Sequence, residues 1–129
     1  MATGLPAVTG DVLTAATFNG LVTFTVGTAN TADYTAVLAD SYQVLEIMNK
    51  ATAIAFKIPT DASVAFPVGT VLTVLNIGVG VCTISAVTSG TTTILSAGTV
   101  AAAPTLAQYK SAACIKTAAN TWYVVGAIA

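Results

Sequence analysis

The side chains able to do chemistry in this chain are few. Five acids (Asp11, Asp33, Asp40, Glu46 and Asp61) and four lysines (Lys50, Lys57, Lys110 and Lys116) are its whole charged complement, with no Arg and no His. Without an imidazole, a Ser or Cys nucleophile lacks its usual base. Lysine could substitute, but no Ser sits beside one in a recognisable frame. The acids are dispersed and mostly at turns, where Asp serves local backbone bonding. Catalysis is therefore not expected, and no residue is assigned to it. Cys82 and Cys114 are far apart with no His to complete a tetrahedron, so neither a metal nor a cofactor is expected. The "GVGV" at 78–81 starts like a phosphate cradle, but no helix follows it and no Lys closes it.

The two cysteines carry a further expectation. Cys82 shares its strand face with Ile84 and should be a buried, small apolar side chain. Cys114 shares parity with Lys110 and Lys116, which points it away from the core or into an interface. Thiols on different faces are expected to stay free, in a reducing compartment. Trp122 and Tyr123 could form a sugar-binding shelf. As neighbours on a strand their rings fall on opposite faces, so one core ring and one rim ring are expected instead. Lys50 and Lys57 read as solvated or edge-protecting charges.

The elements that carry these residues are strands. Of 129 residues, 55% are hydrophobic and only 7% charged, against roughly 25% charged in an ordinary soluble domain. Thr, Ser, Ala and Gly coat the surface instead, and a net charge of −1 gives copies little repulsion. That favours a surface covered by other subunits. It also leaves no basic footprint for nucleic acid. The start "MATGLPAVTGDV" has no basic or continuous apolar leader and no lipid-anchor pattern.

The stretch "FPVGTVLTVLNIGVGVCTISA" (66–86) has no charge and approaches the length of a membrane span. Gly69, Gly78, Gly80 and Pro67 weaken a helix there, and the β-branched residues favour strands. It reads as a hairpin turning at Ile77–Gly80, so no membrane is expected. Residues 1–12 read as an extended arm. A short helix is expected in "LTAATFNGLV", with Thr14 as N-cap, Leu13 and Phe18 as a hydrophobic staple, and Gly20 as the stop. From Leu21 the period is two. In "AIAFKIP", Ile54, Phe56 and Ile58 point inward while Ala55 and Lys57 point outward. The turn at Ala118–Asn120 makes the last two runs a hairpin. About eight or nine short strands with regular turns predict an all-β fold, an antiparallel β-sandwich or jelly-roll-like unit. The expected division is 1–30 for arm, helix and lead-in strand, and 31–129 for the β-sandwich domain.

The segment from "YTAVLADSYQVLEIMNK" through "IPTDASVAFPVGTVLTVLNIGVGVCTI" resembles a module of tailed-bacteriophage virion structural proteins. The closing "KTAANTWYVVG" is similar to that module's final hairpin, and "GDVLTAATFNGLV" resembles a lead-in of phage fibre and head-appendage proteins. The matching positions are Tyr34, Asp40, Asn49, Pro59, Phe66, Pro67, Gly69, Gly78, Gly80, Lys116, Trp122 and Gly126. A polar residue is more usual where this chain has Cys82. The resemblance implies a non-enzymatic virion protein, assembled in the host cytoplasm. In a chain this small it suggests a head decoration (cement) protein, a homotrimer seated on the major capsid protein lattice, with a tail-fibre or baseplate component binding a host receptor or glycan as the rival. Leu5, Pro6 and Val8 of the arm, adding to a sheet edge, and Leu13 and Phe18 of the helix are the expected partner contacts.

Overall fold

The computed structural model describes Ala15, residues 23–100 and residues 102–128. The expected arm, the staple helix and the contacts Leu5, Pro6, Val8, Leu13 and Phe18 lie outside the described residues.

Eleven strands follow in order: β1 (Thr25–Val26), β2 (Tyr34–Thr35), β3 (Val44–Met48), β4 (Ile54–Ile58), β5 (Val71–Asn76), β6 (Cys82–Ala86), β7 (Thr93–Ser96), β8 (Thr99–Val100), β9 (Thr105–Leu106), β10 (Lys110–Ala118) and β11 (Thr121–Gly126). A 3-10 turn, Leu38–Ser41, separates β2 from β3. The strands form a seven-stranded sheet, β1-β3-β5-β10-β11-β7-β8, and a four-stranded sheet, β2-β4-β6-β9. The chain is mostly β, as expected, but both sheets are mixed rather than antiparallel.

The reason lies in how consecutive strands connect. β1 and β2, β3 and β4, and β5 and β6 never pair with each other; each pair crosses from the larger sheet to the smaller one. These are arches, and the three stack in parallel: β1 on β3 on β5 in one sheet, β2 on β4 on β6 in the other. The hairpin expected within 66–86 is therefore corrected to an arch. Its two strands alternate as hairpin strands would, but their apolar faces look at one another across the core: Leu72 and Val74 from β5, Cys82 and Ile84 from β6. Period-two patterning reports which face is buried and is blind to whether the next strand lies beside or opposite.

A fourth crossing runs the other way. β9 lies antiparallel on β6, and β10 antiparallel on β5, so together they cap the stack. β10 then forms the expected hairpin with β11, in register Cys114↔Val124 and Lys116↔Trp122. β7 joins β11 in parallel, and β8 folds back on β7. One buried cluster draws on both sheets, with Phe56, Ile58, Ile84 and Leu106 from the smaller and Leu72, Val74, Ile94, Trp122 and Val124 from the larger. Ile54, Phe56 and Ile58 are buried and Ala55 and Lys57 are not, as the sequence predicted. Among the described residues no helix is long and apolar enough to cross a membrane.

The Gly-x-Gly of 78–80 belongs to this stacking. The third arch loop lies directly on the second: Ile77 N–H donates to Met48 O (2.9 Å) and Gly80 N–H to Lys50 O (2.9 Å). A Cβ on Gly78 would stand 2.4 Å from the Lys50 backbone nitrogen, and one on Gly80 would stand 1.8 Å from the Thr52 carbonyl oxygen. Only hydrogen fits at that approach.

Candidate functional site

The side chains with chemical potential are tied into the frame. Lys116 points inward from β10 on the same face as Ala112 and Cys114 and is buried with them, although its charge led to an outward expectation. Its Nζ donates to Asp61 Oδ1 (2.8 Å) and to the Phe66 carbonyl (2.5 Å). Asp61 N–H donates to Asn120 Oδ1 (2.8 Å), and Asn120 N–H returns a bond to Asp61 Oδ2 (3.0 Å). These bonds clamp the loop after β4 onto the β10–β11 turn, and the Lys116 ammonium holds the Asp61 carboxyl below the usual carboxylate range.

A second cluster sits between the 3-10 turn and β3. Tyr34 OH and Val37 N–H both donate to Asp40 Oδ2, at 2.7 and 2.9 Å. Asn30 Nδ2 donates to Glu46 Oε2 (3.1 Å) and to Ile47 O (3.1 Å). Both carboxyls are buried. Burial, then hydrogen bonding with Asp40, pushes the Glu46 carboxyl up to about 7. Burial foremost also raises the Tyr34 hydroxyl above its ordinary range. Period-two parity puts Glu46 on one strand face with Val44, but neither that this face is inward nor that Asp40 is its neighbour is written in the sequence.

Cys114 corrects another expectation. It is buried in the same core as Cys82, not turned away, because β10 is covered on that face by the smaller sheet. Both thiols are free, and burial pushes Cys82 up to about 11 and Cys114 up to about 12. A thiol so raised is a poor nucleophile. Trp122 and Tyr123 divide as expected. Trp122 is buried edge-on to Phe66, ring centres 5.5 Å apart and planes at 90°, while Tyr123 faces outward. Lys57 lies 3.6 Å from Asp33 at the surface.

Two neighbouring clefts, of about 360 and 330 Å³, share Ala102 and Ala103. Hydroxyls of Ser85, Ser89, Thr92, Thr93, Ser96 and Thr99 line them, with no charged or aromatic side chain. Neither an acid–base pair nor a ring for stacking a sugar is present in them.

What remains is a surface. On the outer face of the seven-stranded sheet, side chains align in continuous rows across the ladders. One row is Val71, Ile115, Tyr123, Leu95 and Val100. The next is Val26, Leu45, Thr73, Ala113 and Val125. These ten positions hold no charge and a single hydroxyl-bearing aliphatic, Thr73. Val26 is 67% exposed, Val100 66%, Val125 50% and Tyr123 43%, while Leu45, Thr73, Leu95, Ala113 and Ile115 between them are half-buried, so the rows lie on the outward face. The opposite sheet differs: its outward rows are Ala55, Thr83, Thr105 and Thr35, Lys57, Ser85. One side is hydroxyl-coated and one is greasy. Sequence reading anticipated apolar strands needing cover but could not assign them to one sheet, since the rows join residues up to a hundred positions apart along the chain.

Compared with protein-family models, curated proteins and solved structures, the chain finds no match.

Proposed function

We propose that this chain is a non-enzymatic structural protein that works by covering and being covered, in the virion of a tailed bacteriophage, as a decoration protein of the head. The two sheets are read as the halves of a sandwich-like unit, one half presenting an adhesive face. The observation that carries the reading is the uncharged outer face of the seven-stranded sheet, set against the buried charged side chains Asp40, Glu46 and Lys116, which are each engaged within the frame. Apolar patches of this extent mark interaction surfaces.

Nine of the twelve positions that match the virion module support the same reading, because each has a structural task here. Tyr34 and Asp40 bond to each other; Phe66 packs on Trp122; Pro67 O accepts from Thr70 N–H (3.1 Å) around Gly69 at φ +94°; Gly78 and Gly80 let arch loops stack; Lys116 anchors Asp61. A frame kept by such positions leaves its outer face free to vary with the partner. On the head, repeated weak contacts with major capsid protein subunits would add by avidity across the lattice. Immunogold labelling of purified phage particles tests this: label over the head surface is expected, whereas label confined to the tail tip would replace it with the tail-fibre or baseplate reading, and no label on particles would end both.

A further inference from the structure

We infer that the first arch, residues 25–35, is latched onto the stack by one proton shared between the carboxyls of Asp40 and Glu46. Loss of that proton frees the arch. The latch is a property of the fold and does not depend on the role proposed above.

The arch has little else to hold it. Of residues 25–35 none is fully buried, and only Gly27, Asn30 and Tyr34 are half-buried. Its strands β1 and β2 are two residues each and lie on the edges of the two sheets. Little buried apolar surface and short ladders mark a segment that opens before the rest. All three half-buried residues lie on the acids. Asn30 Nδ2 donates to Glu46 Oε2 and Tyr34 OH to Asp40 Oδ2, while a Cβ on Gly27 would stand 3.5 Å from Glu46 Oε2. Asp40, on the 3-10 turn, and Glu46, on β3, belong to the chain after the arch and are 4% and 6% exposed.

The acid pair has no cation. Among the described residues Lys57 pairs with Asp33, Lys116 pairs with Asp61, and Lys50 and Lys110 make no ion pair. The groups that face the acids are Tyr34 from β2, Asn30 from the first arch loop and Val37 N–H, which donates to Asp40 Oδ2. The two carboxyls bond to each other. Buried carboxylates in contact cannot both stay charged, so one keeps a proton that ties it to the other. Joined in this way, they form one platform for Asn30 and Tyr34. Burial, then the bond with Asp40, raises Glu46 from 4.5 to about 7, so the closed arch is stabilised at low pH and loses that stabilisation as pH climbs through about 7. The second charge then repels the first, and opening the arch lets water reach both. What the arch uncovers is the edge of β3 and of β4, five residues each, long enough for an extended segment to add.

The test is amide hydrogen exchange on the full-length protein at pH 5 and pH 8, each corrected for intrinsic exchange. The reporting amides are Thr25, Gly27 and Asn30, which donate to the Gln43, Leu45 and Ile47 carbonyls across the arch boundary. Their protection is expected to fall by on the order of fiftyfold from pH 5 to pH 8, the change that linkage gives for 4.5 against about 7. At pH 8 they should exchange faster than Lys116 N–H, which is bonded to Thr70 O, and stay indifferent to low denaturant, the mark of a local opening. Glu46→Gln should abolish the pH dependence, and Asp40→Asn should move its midpoint to lower pH. Lys57→Met breaks the surface pair with Asp33 and should leave the pH dependence as it was. Arch amides that keep their protection at pH 8, or that exchange only together with Lys116 in global unfolding, overturn the inference. Neither result bears on particle labelling, so the two readings fail separately.

Discussion

Lys116 enters the interior as a cation, and its worth depends on the company it keeps. Removing one partner of a buried pair leaves the other charge stranded, typically at a cost of about 3–5 kcal/mol. The side chain of Lys116 is 4% exposed and that of Asp61 28%, so the two deletions should differ. Asp61→Ala strands the ammonium in the core and is expected to destabilise by about 3 kcal/mol or more. Lys116→Met leaves a carboxylate that water can reach and should cost about half as much. Chemical denaturation of both variants measures the difference. Glu46 makes the complementary case. Its carboxyl is raised from 4.5 to about 7, so the folded state binds extra proton between those values. Its contribution is therefore present at low pH and is lost as pH climbs from about 4.5 through about 7. At about 1.4 kcal/mol per pKa unit the ceiling is about 3 kcal/mol. Glu46→Gln should flatten that fall in melting temperature between pH 5 and 8. Asp61 acts in the opposite sense: with its folded value below 3.8, its stabilisation is complete above that and disappears on further acidification.

At the scale of elements, the stacked arches depend on close backbone approach and on one buried amide. Asn76 at the end of β5 is fully buried; its Nδ2 donates to Gly80 O and Leu106 O, both at 2.9 Å, and its Oδ1 accepts from Gly78 N–H at 3.0 Å. That single side chain holds the third arch loop closed and ties it to β9. Asn76→Ala would take the amide donor from the buried Gly80 and Leu106 carbonyls and leave Gly78 N–H only its longer bond to Met48 O (3.3 Å), and a loss of about 2–4 kcal/mol is expected by denaturant melts. Gly80→Ala drives a Cβ into Thr52 O, which backbone cannot easily yield, and should destabilise by more than about 3 kcal/mol. Gly90 has nothing within 4 Å of where its Cβ would lie, so Gly90→Ala should stay within about 0.5 kcal/mol of wild type. Equal losses at both positions would mean that the arches do not stack this tightly.

For the whole molecule, what matters is the contrast between its two outer surfaces. A sheet with hydroxyls and a lysine on its outer face is content in water; one with aliphatic rows is not. Under the proposed structural role, that division would let one side bind a partner while the other meets solvent. Tyr123→Lys, in the middle of one greasy row, should raise solubility in a precipitant titration while the melting temperature stays close to that of the wild type, because Tyr123 faces outward.

The amino-acid sequence determined the β character, the inward set Ile54, Phe56 and Ile58, the final hairpin and the opposed rings of Trp122 and Tyr123. Each follows from period-two alternation or from local turn chemistry, which act over a few residues. Sequence also pointed to a scarcity of charge that needs cover. Only the tertiary structure decided that the runs within 66–86 form an arch, that Cys114 and Lys116 turn into the core, that Asp40 meets Glu46, and that the aliphatic rows gather on one sheet. Those outcomes depend on which strands become neighbours, a choice made by burial across the whole chain. Alternation looks the same whether a strand's partner lies beside it or across the core.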